Sequence, residues 1–164
     1  MISAMGETVL ASIAKRSRIT VGIQVLVVDD SSVIRQVIAR IIAHTGMEVD
    51  KVFEASNGQE ALEVISNQQV DLVFSDINMP RMNGLEMLTQ LRRLEGKRDL
   101  PVIMISVEGT ESAMEEAMEL GATGYVLKPF TPETLAQNLR MLGLMPKARE
   151  HPQSEVDLSD PSSF

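Results

Sequence analysis

Five positions in this sequence carry side chains able to act together, and each stands at the end of a short apolar run. Asp29 and Asp30 follow IQVLVV, Asp76 follows VDLVFS, Ser106 closes PVIMIS and Lys128 closes YVLK. Three carboxylates brought together repel one another and raise one another's pKa unless a cation is supplied. Ligands that are all oxygen favour a hard ion such as Mg²⁺, which keeps several waters and uses one or two carboxylates plus phosphate oxygens. Lys128 adds a point charge for a phosphate oxygen and Ser106 a hydroxyl donor. An aspartate can itself be the nucleophile, forming an acyl phosphate. With metal, lysine and hydroxyl around it little more is needed, because phosphoryl transfer depends mainly on positioning and charge neutralisation.

For those residues to meet, the chain must place several strand ends in one crevice. Between Gly22 and Leu144, short apolar runs alternate with segments of helical spacing, the pattern of repeated strand-helix units. Strands are predicted over 23–28, 49–55, 70–75, 101–106 and 125–128. The first, third and fourth are nearly unbroken apolar runs, as suits strands covered on both faces. Helical stripes are predicted from Val33, Ile34, Val37, Ile38, Ile41 and Ile42, from Leu85, Leu88 and Leu91, and from Ala113, Met114, Ala117 and Met118. Gly46, Gly96, Gly121 and Gly143 follow periodic segments as stops, while Ser31 or Ser32, Thr110 and Thr131 precede them as N-caps. Pro132 suits a first helical position, but the acid of Thr131-Pro132-Glu133-Thr134 sits one residue short of a reciprocal capping box. The expected fold class is α/β, a flavodoxin-like (βα)5 doubly wound parallel sheet whose order would be 2-1-3-4-5. Strands 1 and 3 then flank the switch point where ligands bind in such sheets.

Composition narrows the chemistry further. The 164 residues, 44% apolar and 23% charged, suit one core. Without cysteine there is no disulfide scaffold, thiolate zinc site or cysteine nucleophile, and the two histidines cannot build a metal site alone. The ends differ from the middle: 1–21 reads as a flexible extension and 146–164, rich in Pro, Ser and acids, as a disordered acidic tail, leaving 22–145 as the domain. The net charge of −8 belongs to that domain, since the +2 of the first segment cancels the −2 of the last. So acidic a body argues against nucleic acid as partner, because phosphate neutralisation needs a basic face. No stretch approaches the roughly 20 apolar residues of a membrane span, and no basic start precedes an apolar leader. A cytoplasmic monomer is expected.

VLVVDDSS, DLVFSDINMPRMNG, VIMISVEG and GYVLKPF, in that order and spacing, resemble the four motif blocks of response-regulator receiver domains, over residues 23 to about 143. The resemblance implies that Asp76 is phosphorylated by a histidine kinase. It also implies that Asp30, Asp76 and the backbone carbonyl of Asn78 bind Mg²⁺ directly, with Asp29 acting through metal-bound water. By the same resemblance Lys128 and Ser106 contact the phosphoryl oxygens, and Tyr125 is a switch that turns inward when the Ser106 hydroxyl is drawn to the phosphoryl group. That movement would alter the fourth helix, fifth strand and fifth helix, the face expected to meet a downstream protein. A cis Lys128-Pro129 peptide is implied too. Ser106 departs mildly from the family pattern, standing where Thr is frequent. Asn78 and Glu108 match residues that tune dephosphorylation in chemotaxis receivers, so a stand-alone CheY-like signalling protein in chemotaxis or motility is expected, with no attached output domain and no enzymatic turnover beyond its own phosphorylation and dephosphorylation.

Each residue alone has a plainer reading. Asp29 and Asp30 would serve as well to cap the next helix; Lys128 would be a surface lysine, Ser106 a hydroxyl satisfied by backbone, and Tyr125 a packing residue. His44 reads as a charge complement at a helix end, and Glu115, Glu116 and Glu119 as a solvated face. Met79, Met82, Met87, Met114 and Met118 read mainly as core gap-fillers rather than an adaptable binding surface. Coincidence of Asp29, Asp30, Ser106 and Lys128 with Asp76 at strand ends favours the functional reading. Two rival functions keep part of that chemistry. A phosphate sink or phosphorelay intermediate would return the group to a histidine phosphotransfer domain. An aspartate-nucleophile phosphatase of the haloacid-dehalogenase sort wants a second Asp two residues on, where Asn78 stands.

Overall fold

The computed structural model describes residues 22–145, so the expectations for 1–21 and 146–164 lie outside the described residues. Five strands, β1 (Ile23–Val28), β2 (Val49–Ala55), β3 (Leu72–Asp76), β4 (Val102–Ser106) and β5 (Gly124–Leu127), alternate with five helices. These are α1 (Ser32–Ala43), α2 (Gly58–Asn67), α3 (Gly84–Leu91), α4 (Glu111–Glu119) and α5 (Pro132–Met141). The strands are all parallel in the order β2-β1-β3-β4-β5, the predicted topology.

Alternation along each strand sends successive side chains to opposite faces, and the apolar runs use both. From β1, Leu26 and Val28 join Val73 and Met104 under α2, α3 and α4. Val25 and Val27 join Phe74, Ile103 and Ile105 under α1 and α5. Each fully buried Leu, Ile or Phe contributes about 1.5–3 kcal/mol relative to exposure, so the three central strands carry most of the cohesion of the sheet.

Register decides what meets at the carboxyl edge. Val28 pairs with Ser75, which sets Asp29 beside Asp76 one step on. Asp76 pairs with Ile105 and Ser106 with Leu127, so Ser106 and Lys128 follow in step along the same edge. β3 begins at Leu72 rather than at residue 70 and includes Asp76. Asp71 is buried before it, its Oδ2 accepting the Gln24 N–H at 2.8 Å and its own N–H donating to Gln24 O at 2.8 Å. β5 lies one residue earlier than predicted, which leaves Lys128 just past its end.

Two local expectations need correction. The six-residue stripe of α1 is only half core: Ile38 and Ile42 are buried, whereas Val33 and Val37 stand 66% and 43% exposed, with Ile34 at 37%. The first turns of α1 start at the carboxyl end of the sheet, where less strand surface is available to cover them. At α5 the reciprocal capping box is complete, because Thr134 does what the missing acid would do. Its Oγ1 accepts the Thr131 N–H at 2.9 Å while Thr131 Oγ1 accepts the Thr134 N–H at 3.2 Å. Ser31 and Thr110 cap α1 and α4 as expected, and Asn57 and Asn83 cap α2 and α3. The four predicted glycine stops all adopt positive φ. Met79, Met82 and Met87 pack in the core, but Met118 is 48% exposed.

Candidate functional site

The carboxyl edge gathers Asp29, Asp30 and Asp76 so closely that one carboxylate oxygen from each lies within 4.8 Å of the others. Their settings differ. Asp29 is buried at 2% exposure, Asp76 is intermediate and Asp30 is exposed. Lys128 faces two of them, its Nζ 3.2 Å from Asp29 Oδ2 and 3.7 Å from Asp76 Oδ2. Lys128 reaches there from a cis peptide bond to Pro129, and its own N–H donates to Ser106 O at 2.8 Å.

Asp29 does not cap α1, as its plainer reading had it. Ser31 takes that role, and Asp29 Oδ1 instead accepts the Ser31 N–H at 2.9 Å. The main chain of Asp29 is held on both sides, its N–H donating to Ala55 O at 3.1 Å and its carbonyl accepting from Arg35 Nη1 at 2.7 Å. Asp76 Oδ1 accepts the Ile77 N–H at 2.7 Å. Burial pushes the Asp76 carboxyl above its ordinary value, and the neighbouring Asp29 adds to the rise. Lys128 and the backbone N–H groups of Ile77 and Asn78 offset part of it. The Asn78 side chain is exposed beside this loop.

Behind Asp76, Gly84 opens α3 and presses its backbone against the Asp76 carbonyl so closely that a Cβ would collide with it. Gly84 N–H also donates to Ile77 O at 2.8 Å. This glycine and Arg35 are the site-building residues the sequence reading passed over. Both left a trace there: an Asn83-Gly84 pair opening a helix, and one arginine inside the otherwise apolar stripe of α1.

On the far side of the crevice a second small assembly runs through the backbone of one residue. Ser106, buried at 2%, accepts the Glu108 N–H on its Oγ at 3.1 Å. Tyr125 donates its hydroxyl to Glu108 O at 2.7 Å. Both bonds converge on Glu108, in a loop where Val107 is 75% exposed. All the predicted site residues therefore meet at one edge, with Tyr125 joined to Ser106 through backbone rather than touching the acids.

The donor set fits a divalent hard cation. Three carboxylates and one ammonium, which faces two of them, leave an excess of two negative charges, every available ligand atom is oxygen, and the exposure of Asp30 leaves an open side for water or phosphate oxygens. Such a crevice, with one partly desolvated carboxylate facing a lysine, can present an anionic nucleophile to a phosphoryl group.

Comparison with known proteins agrees with this geometry. The model of the response regulator receiver domain matches residues 25–140. A chemotaxis protein CheY homolog of Campylobacter jejuni is 38% identical over 117 residues, which are 71% of this chain and 88% of that protein. Among solved structures, the chemotaxis response regulator CheY4 of Vibrio cholerae superposes with a TM-score of 0.66 at 36% identity, covering 74% of this chain and 98% of that one. The CheX-CheY-BeF3-Mg²⁺ complex of Borrelia burgdorferi gives 0.64 at 28% identity, covering 71% and 86%.

Proposed function

This chain belongs to the response regulator receiver domain family, and from that premise we propose that it accepts a phosphoryl group on Asp76 from a histidine kinase and signals by phosphorylation-dependent binding to a downstream protein in chemotaxis. The observation that carries the proposal is the convergence of three carboxylates, two of them facing Lys128, at the switch point between β1 and β3.

In this reading Asp30, Asp76 and the Asn78 carbonyl would hold Mg²⁺ with Asp29 beside them, and the ion would supply charge neutralisation for the phosphate when bound. An Asp76 carboxylate oxygen attacks phosphorus as the bond to the donor histidine nitrogen breaks. Lys128, already 3.7 Å from Asp76 Oδ2, swings its charge toward the new phosphoryl oxygens. Ser106 turns its hydroxyl to the same group and lets go of the Glu108 N–H. Tyr125 reads that loss through the Glu108 carbonyl it holds.

The partner face is then α4, β5 and α5, where Met118 and Leu127 stand 48% and 42% exposed. No helix among the described residues is long and apolar enough to cross a membrane, and a cytoplasmic place of work fits this role. The kinship with chemotaxis proteins supports the pathway.

Incubation with acetyl phosphate and Mg²⁺ should add one phosphoryl group, mapped by mass spectrometry to Asp76. Asp76→Asn should abolish it, at least a hundredfold below the parent in labelling rate. A stable acyl phosphate on another residue sinks the assignment. For the signalling half, beryllofluoride-treated protein should retain a partner that Asp76→Asn does not.

A further inference from the structure

Arg35 sits on α1 outside the set of residues that the proposed chemistry uses, yet among the described residues it is the only side chain that grips the main chain between the two adjacent acids. Its guanidinium forks. Nη1 donates to Asp29 O at 2.7 Å and Nε to Glu54 Oε1 at 3.0 Å. The Arg35 side chain is 16% exposed and that of Glu54 48%, so the fork is shielded on the side that meets Asp29. A charge-assisted bond to a carbonyl is short and strongly directional, and a planar fork bound at two points has little freedom left.

The carbonyl it holds belongs to the peptide that joins Asp29 to Asp30. That unit is planar, so fixing its oxygen fixes the direction in which the chain enters Asp30. Asp29 is also tied at its N–H by Ala55 and at its side chain by Ser31 and Lys128. Asp30 has no such ties of its own among the described residues and is exposed. Its carboxylate therefore depends for its aim on the peptide behind it.

We propose that Arg35 is a positioning residue for Mg²⁺ binding: by clamping the Asp29 carbonyl against Glu54 it aims the Asp30 carboxylate into the crevice. The proposal rests on the Mg²⁺-dependent reading above and adds to it a residue that touches neither metal nor phosphate. Residues that orient metal ligands typically change affinity by about 10–100-fold when removed.

The sign of the effect separates positioning from charge. Arg35 is a cation beside a cation site, so by Coulomb attraction and repulsion alone its removal should tighten Mg²⁺ binding. Positioning requires the opposite. The test is calorimetric titration of Mg²⁺ into the full chain, alongside the Mg²⁺ concentration that gives half-maximal labelling of Asp76 by acetyl phosphate.

Arg35→Met should weaken Mg²⁺ binding about tenfold and raise the half-maximal Mg²⁺ concentration to match, with the plateau rate at saturating Mg²⁺ little changed. Arg35→Lys keeps the charge and most of the stem but cannot fork to both partners; it should weaken binding about threefold. If Arg35→Met does not fold, Arg35→Lys decides by itself. Unchanged or tighter binding in the folded variants overturns the proposal, whatever their stability. A parent protein that binds no Mg²⁺ at all overturns the metal reading together with it, whereas parent binding with indifferent variants overturns only the role of Arg35.

Discussion

The acid crevice and the β4-β5 rim lie along one sheet edge, yet they are held in different ways. Asp29 is fixed by bonds at its N–H, its carbonyl and both carboxylate oxygens, from partners on β2, α1 and the end of β5. The rim is held by two bonds that meet on a single exposed residue, Glu108, one at its N–H and one at its carbonyl. Many bonds to separate elements keep a geometry through thermal motion, which a reacting carboxylate needs. Two bonds on one loop residue can be exchanged together at small cost, which a reporter needs.

The largest effect should come from the crevice side. Gly84→Ala puts a methyl group against the Asp76 carbonyl; the end of the Met104 side chain on its other flank can shift, but the Asp76 backbone cannot. It should cost about 3 kcal/mol in urea-induced unfolding and slow labelling of Asp76. A loss below about 1 kcal/mol would show that the loop behind the acceptor is softer than its packing implies.

A pH series tests whether the crevice carries a charge penalty of its own. The folded Asp76 carboxyl titrates above its ordinary 3.8, chiefly through burial. Below that ordinary value both folded and unfolded chains hold the proton and no penalty exists. As pH rises, the unfolded chain releases its proton first, so stability falls until the folded carboxyl has also ionised. In metal-free buffer Asp76→Asn should therefore melt higher than the parent at pH 7, with the gap closing as pH approaches 4. Mg²⁺ should narrow the gap at pH 7 by stabilising the parent alone.

On the rim the effects should be small. Ser106→Ala removes the acceptor for the Glu108 N–H and should cost about 1 kcal/mol, with slower phosphorylation. Tyr125→Phe deletes the bond to Glu108 O and should cost about 0.5 kcal/mol, since the partner peptide is exposed and water replaces the hydroxyl. Thermal unfolding measures both. If either equals the Gly84→Ala loss, the contrast between stiff crevice and loose rim fails.

Much of this was legible because it depends on local pattern. Unbroken apolar runs in the first, third and fourth strands follow from burial on both faces, and glycines with positive φ follow from the absence of a Cβ. The capping box at α5 was only half legible, because Thr134 replaces an acid that the usual pattern demands. The α1 stripe misled: six apolar residues at helical spacing look alike in sequence, but only those over the sheet find partners. Gly84 and Arg35 escaped because their importance lies in a collision and a bond with residues distant in sequence or in another element.

The amino-acid sequence by itself determined the five alternating units, the strand ends at which the chemistry-bearing residues stand, and the oxygen-rich, thiol-free character of the site. Periodicity and residue type are local properties and need no folding to be read. Only the tertiary structure decided that Asp29 is buried and Asp30 open, that Asp76 is partly desolvated, and that the backbone of Glu108 couples Ser106 to Tyr125. Those features arise from strand register and from which neighbours exclude water, and both exist only once separate segments have packed.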